Sequence, residues 1–198
     1  MNWLAHIFIS RNHIDYQLGN LLADPLKGRG WDGASSELRE GLRMHGSIDA
    51  FTDVHELVSK SKSRLGVNGY LRGVVIDVAY DHLLLNNWHH YSKVSLERYI
   101  NTFYRQAASV VDGYPGRARG FVNRVIATKN LTSYGTYKGL ELAFRRIDTR
   151  LSERVLKRES TTDYLPLLKS EMQGIEEDFH AFFPELEAFV AAQLGQAT

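Results

Sequence analysis

No cysteine occurs in the 198 residues, which removes disulfide frameworks, thiolate zinc sites, iron–sulfur clusters and cysteine nucleophiles together. Any metal site must therefore be built from oxygen and imidazole ligands. Four prolines and 16 glycines are too few for a collagen-like or low-complexity chain. No apolar run reaches the roughly 18 residues that a membrane span requires. The start, Met1 to Ser10, carries Trp3, Leu4, Ile7, Phe8 and Ile9 but neither a basic segment nor the apolar stretch of a signal peptide. These absences predict a cytoplasmic protein with no membrane segment.

What is present suits a single globular domain over residues 1–198, with 43% hydrophobic and 11% aromatic residues. The net charge of +1 conceals an asymmetry. Residues 1–113 are balanced, residues 114–160 carry 11 basic against 4 acidic side chains, and residues 161–198 carry one basic and seven acidic. The basic middle stretch is a candidate docking face for an anionic partner, and a solvated helix surface is the alternative.

Short breaks such as Gly28-Arg29-Gly30, Gly66-Val67-Asn68-Gly69, Asp112-Gly113-Tyr114-Pro115-Gly116 and Ser133-Tyr134-Gly135 divide segments whose apolar residues recur at helical spacing. Leu96, Tyr99, Ile100, Phe103 and Tyr104 form one such stripe. Ser95, Thr136 and Thr161 stand where helix N-caps belong, and Pro115 and Pro184 can open helices. Strand-like alternation is nowhere sustained. The expectation is an all-α fold of about seven to nine helices. Gly28-Arg29-Gly30 lacks the preceding strand and spacing of a nucleotide-binding loop and reads as a turn.

Titratable groups gather where an apolar pattern would exclude them. The segment from Leu71 to Leu85 is apolar almost all round, which marks a buried helix, yet it carries Asp77 and Asp81 one turn apart, with His82 following. Two such carboxylates repel and require a cation or strong donors, either a metal ion or arginines. His45, Asp49 and Asp53 are likewise spaced four apart, so a helix continuing that far presents imidazole and carboxylates on one face. This ligand set belongs to hydrolytic Mn, Fe, Zn or Mg centres. Asp53 could instead cap a helix beginning near Val54. His13, His55, His89 and His90 read as surface or capping residues, and His180 as a packed, hydrogen-bonded member of an aromatic stripe.

The combination Asn2-x-Leu4-Ala5-His6, Gly19-Asn20-Leu21-Leu22-Ala23-Asp24, Met44-His45-x3-Asp49-x3-Asp53 and Asp77-x3-Asp81-His82 resembles the acyl carrier protein phosphodiesterase family, also called acyl carrier protein hydrolase. The likeness runs to about Trp88, with a weaker echo at Phe179 to Pro184. It implies a compact helical relative of the HD-type metal-dependent phosphohydrolases, although this chain has no adjacent His-Asp pair. It also implies hydrolysis of holo acyl carrier protein to the apo protein and 4′-phosphopantetheine, with Mn²⁺ or Mg²⁺ as cofactor. Carried to matching positions, His6, Asp24, His45, Asp77 and Asp81 become metal ligands, and Asp24, Asp49 and His82 the catalytic groups. The implied partner is an acidic protein, not nucleic acid or a membrane. Arg39 and Arg43, just before His45, are the expected docking residues, with Arg145 and Arg146 as further candidates. A phosphohydrolase of a small nucleotide or phosphate ester, and a non-catalytic binding module, are the competing readings. A protein substrate needs an exposed basic face beside the site, and a nucleotide an enclosed pocket.

Overall fold

A computed structural model describes residues 1–196. Among them there is no strand, and eleven α-helices account for the architecture. In chain order these are α1 (Trp3–Phe8), α2 (Ile14–Leu26), α3 (Ser36–Val54), α4 (Glu56–Arg64), α5 (Arg72–Asn86) and α6 (Trp88–Tyr91), then α7 (Leu96–Val110), α8 (Gly116–Thr128), α9 (Tyr137–Asp148), α10 (Glu153–Leu156) and α11 (Leu165–Gln196). Eight span nine residues or more, and the other three are short connectors of four to six. No described helix is long and apolar enough to cross a membrane.

The most extensive pairing is α2 against α3, and two glycines explain its closeness. A Cβ on Gly19 would overlap the Leu38 carbonyl, and one on Gly41 would overlap the Tyr16 carbonyl. Helix backbones approach this closely only where side chains are absent. The crossing brings the end of α2, with Asp24, alongside the middle of α3. Helix α2 then stops at Lys27 and Gly28, both left-handed (φ 53° and 68°), and the Gly28 N–H bonds the Ala23 carbonyl at 2.8 Å. Gly28-Arg29-Gly30 is thus part of a turn.

Helix α5 is the buried centre. Val75, Ile76, Ala79, Tyr80 and Leu84 are fully enclosed, with α1, α4, α9 and α11 packed around it. Helix α11 adds Phe179, Phe182 and Phe183, each 0% exposed. Its buried Asp178 accepts from Arg64 Nε at 2.8 Å and pairs with Lys60 at 2.7 Å, fastening α11 to α4.

Ser95 and Thr136 cap α7 and α9 through their side-chain oxygens. Four expectations are corrected. Thr161 caps nothing, because its hydroxyl donates to Phe144 O and Asp148 Oδ1, and α11 begins at Leu165. Pro184 lies inside α11 and does not open a helix; its exposed ring costs one backbone bond, which the phenylalanine packing on either side of it outweighs. Asp53 remains within α3, with the cap of α4 supplied by the His55 ring, which accepts from the Leu57 N–H. Pro115 stands at the N-cap of α8, one position earlier than a helix-opening proline occupies.

Candidate metal centre

Helices α1, α2 and α3 meet at a cluster of titratable groups. His6 and His45 are buried and stack with ring centroids 4.1 Å apart. His6 Nε2 lies 3.3 Å from Asp49 Oδ1, and His45 Nε2 lies 3.1 Å from Asp49 Oδ2 and 3.4 Å from Asp24 Oδ1. One ligand atom from each of His6, His45 and Asp49 falls within 4.8 Å of the others. The four-residue spacing of His45 and Asp49 is what the sequence showed. His6 joins them because α1 packs across α2.

Bonding around His6 fixes its tautomer. The Asn20 amide nitrogen donates to His6 O at 3.1 Å and to Ser10 Oγ at 2.8 Å, so the amide oxygen faces His6 Nδ1 at 2.9 Å and accepts its proton. Nε2 is left with a lone pair directed at oxygens, Met1 O at 3.1 Å and Asp49 Oδ1. Burial holds this imidazole below its usual pKa, against the pull of Asp49. A neutral nitrogen facing two acceptors is a mismatch that a cation resolves, and Asn20 supplies the outer-shell bond that a ligating histidine needs. Burial also works against charge on His45, but the Asp24 and Asp49 carboxylates prevail and raise it to about 9. Burial raises the Asp49 carboxyl, and the hydrogen bond from His45 leads the effects that outweigh it and depress it. Asp24 is held low first by His45. His45 Nδ1 is buried without a hydrogen-bond partner, so the ring's polar bonding is all directed at Asp24 and Asp49. The oxygen-and-imidazole donor set fits a divalent ion.

Asp77 borders this cluster and receives the Met1 ammonium at 3.0 Å; the same ammonium lies 3.8 Å from Asp49 Oδ1. Asp81 and His82 are not brought into it. Asp81 is fully buried, and its two oxygens accept the N–H groups of Leu4 and Ala5 at 2.9 and 3.1 Å. It therefore caps α1 from 77 residues away. Burial pushes its carboxyl up to about 7, against those two donors. The donors needed for the Asp77/Asp81 pair are thus an ammonium and backbone N–H groups, not arginines. His82 turns the other way, with Nδ1 2.6 Å from Tyr134 O and the ring against Tyr137. Asp53 is exposed and pairs with Lys62 at 3.3 Å.

Arg39 and Arg43 do not accompany the cluster either. Two residues along a helix is about 200°, so Arg43 points away from His45. Arg39 is spent on the Trp31 and Ala34 carbonyls. The arginines beside the site are others. A cavity of about 240 Å³ is lined by Met1, Asp24, Asp77, Tyr134, Arg146 and Arg150 among others. It shares Trp3, Asp24, Asn130 and Arg150 with a second cavity of about 500 Å³, which adds Arg117, Phe121 and Arg124. Of these only Arg146 was a candidate from the sequence. The excess charge of residues 114–160 pointed to the region without selecting positions.

A family model described as acyl carrier protein phosphodiesterase matches residues 1–186. The chain belongs to this family. Relatives named acyl carrier protein phosphodiesterase include one from Photorhabdus laumondii, 37% identical over 90 residues, covering 44% of this chain and 45% of that protein. Another, from Yersinia enterocolitica, is 36% identical over 90 residues, covering 44% and 46%. In both, the chain spans less than half of the relative's length. The relative from Salmonella paratyphi A is 26% identical over 195 residues, covering 96% of this chain and 98% of that protein. No solved structure matches. His6, Asp24, His45 and Asp49 all lie within the matched span.

Proposed function

We propose that this protein is a metal-dependent phosphodiesterase that hydrolyses holo acyl carrier protein to the apo protein and 4′-phosphopantetheine. The observation that carries the reading is the convergence of His6, His45 and Asp49 beside cavities edged by Arg117, Arg124, Arg146 and Arg150. Their rim arginines are exposed, which suits a protein-borne diester better than an enclosed nucleotide.

His6, His45 and Asp49 would hold a divalent ion, Mn²⁺ or Mg²⁺, with Asp24 and Asp77 at its border. Such an ion supplies charge neutralisation at the phosphoryl group and a water that deprotonates near neutral pH. Arg146 and Arg150 would orient the diester anion through charge-assisted hydrogen bonds. Asp24, exposed and bonded to His45, is placed to take the proton of the attacking water, which it can pass to the departing oxygen. The bond formed is water oxygen to phosphorus. The bond broken is phosphorus to the carrier's serine oxygen, which leaves with a proton as the free hydroxyl.

Intact-mass analysis of holo acyl carrier protein incubated with the protein and Mn²⁺ tests the reading. Loss of the phosphopantetheine mass is expected. Retention of the prosthetic group, together with turnover of a nucleotide or small phosphate ester, would replace it by the phosphohydrolase alternative.

A further inference from the structure

We infer that the face of α8 carrying Arg117, Phe121 and Arg124 is where an acidic protein substrate docks. This rests on the reading of the site as a carrier-protein phosphodiesterase and adds the surface that reading lacks. The three residues are spaced i, i+4, i+7 and form one stripe along the helix. All three line the cavity that opens at Asp24. Phe121 meets the edge of Trp3 with ring centroids 5.3 Å apart, so an aromatic floor lies between two flexible cations.

Charge arithmetic decides between a phosphate and a protein as occupant. Among the described residues, neither Arg117, Arg124, Arg146 nor Arg150 has a carboxylate within salt-bridge distance, whereas the neighbouring Arg145 is paired with Glu141 at 2.8 Å. A phosphodiester carries a single negative charge, which one bidentate guanidinium matches. Arg146 and Arg150 line the cavity that reaches Asp77 and Met1, and already exceed that need. Arg117 and Arg124 lie only in the outer cavity. Their charge is therefore matched by carboxylates on the surface of the molecule that brings the diester. A basic stripe flanking an aromatic is complementary to the acidic face of a helix, and it steers association through a field that salt screens.

The test is calorimetric titration of apo acyl carrier protein into the wild-type chain, Arg117→Glu/Arg124→Glu, the milder Arg117→Gln/Arg124→Gln, and Arg119→Glu, with thermal unfolding as the folding check. Arg119 lies about 200° around α8 from Arg117. The double reversal should weaken binding by about tenfold or more and flatten its salt dependence, the Gln pair should weaken it less, and Arg119→Glu should bind as wild type. With holo substrate, the reversal should raise KM more than it lowers kcat. Unchanged affinity in the double reversal, or no binding by the wild type, overturns the docking face. Binding that follows the pattern without release of phosphopantetheine overturns the phosphodiesterase reading and leaves the docking face standing.

Discussion

Asp49 and Asp81 are both carboxylates on helices facing the N-terminal segment, yet they meet different neighbours. Asp49 receives two imidazole nitrogens and is 41% exposed, while Asp81 is sealed under the first turn of α1. Removing each should therefore fail differently. Asp49→Ala should abolish calorimetric Mn²⁺ binding and turnover with little change in unfolding. Asp81→Ala leaves two buried N–H groups unpaired and should cost about 2–4 kcal/mol in urea unfolding, while Mn²⁺ binding persists. Retention of Mn²⁺ binding by Asp49→Ala would remove it from the ligand set.

At the scale of elements, the crossing of α2 over α3 sets the distance between Asp24 and His45. Gly41→Ala puts a methyl against the Tyr16 carbonyl, backbone against backbone, where relief requires the helices to separate. A loss of about 3 kcal/mol is expected, read as a fall in Tm of roughly 6–12 °C, with turnover falling alongside. The α4–α11 junction makes a pH prediction. Burial alone would raise the Asp178 carboxyl, but Arg64 and Lys60 hold it below the ordinary carboxylate value. A folded pKa below the unfolded one stabilises above the unfolded value, about 4, and that stabilisation disappears as pH falls through the lowered folded value. The stability gap between wild type and Asp178→Asn should accordingly be full at pH 7 and close on acidification below about pH 4, as followed by urea unfolding across pH.

For the whole molecule, four of the eleven basic residues of 114–160, Arg117, Arg124, Arg146 and Arg150, line the cavities beside the cluster. The arginines of α3 lie elsewhere. Arg39→Glu/Arg43→Glu should therefore change KM for holo acyl carrier protein by less than about twofold, although KM itself should rise with ionic strength. A large KM effect from that pair would return the docking face to α3.

Helical periodicity, the caps at Ser95 and Thr136, the buried character of α5 and the His45/Asp49 pair were legible in the chain because each depends on neighbours within two turns of a helix. The motif likeness also placed His6 and Asp24 among the candidate ligands. Spacing could not decide between Asp77 and Asp81, because whether a carboxylate meets a metal, an arginine or a helix N-terminus depends on which remote segment packs against it. For Asp81 that segment is α1, and for His82 it is the carbonyl of Tyr134. Nor could spacing select Arg117, Arg124 and Arg150 from the many arginines of the middle stretch. Composition and local period determined an all-α, cysteine-free chain whose candidate metal ligands are oxygen and imidazole groups. Only the tertiary structure decided which of those candidate groups converge, because convergence is set by the close crossing of α2 and α3 and by the seating of α1 on α5, contacts between residues far apart in sequence.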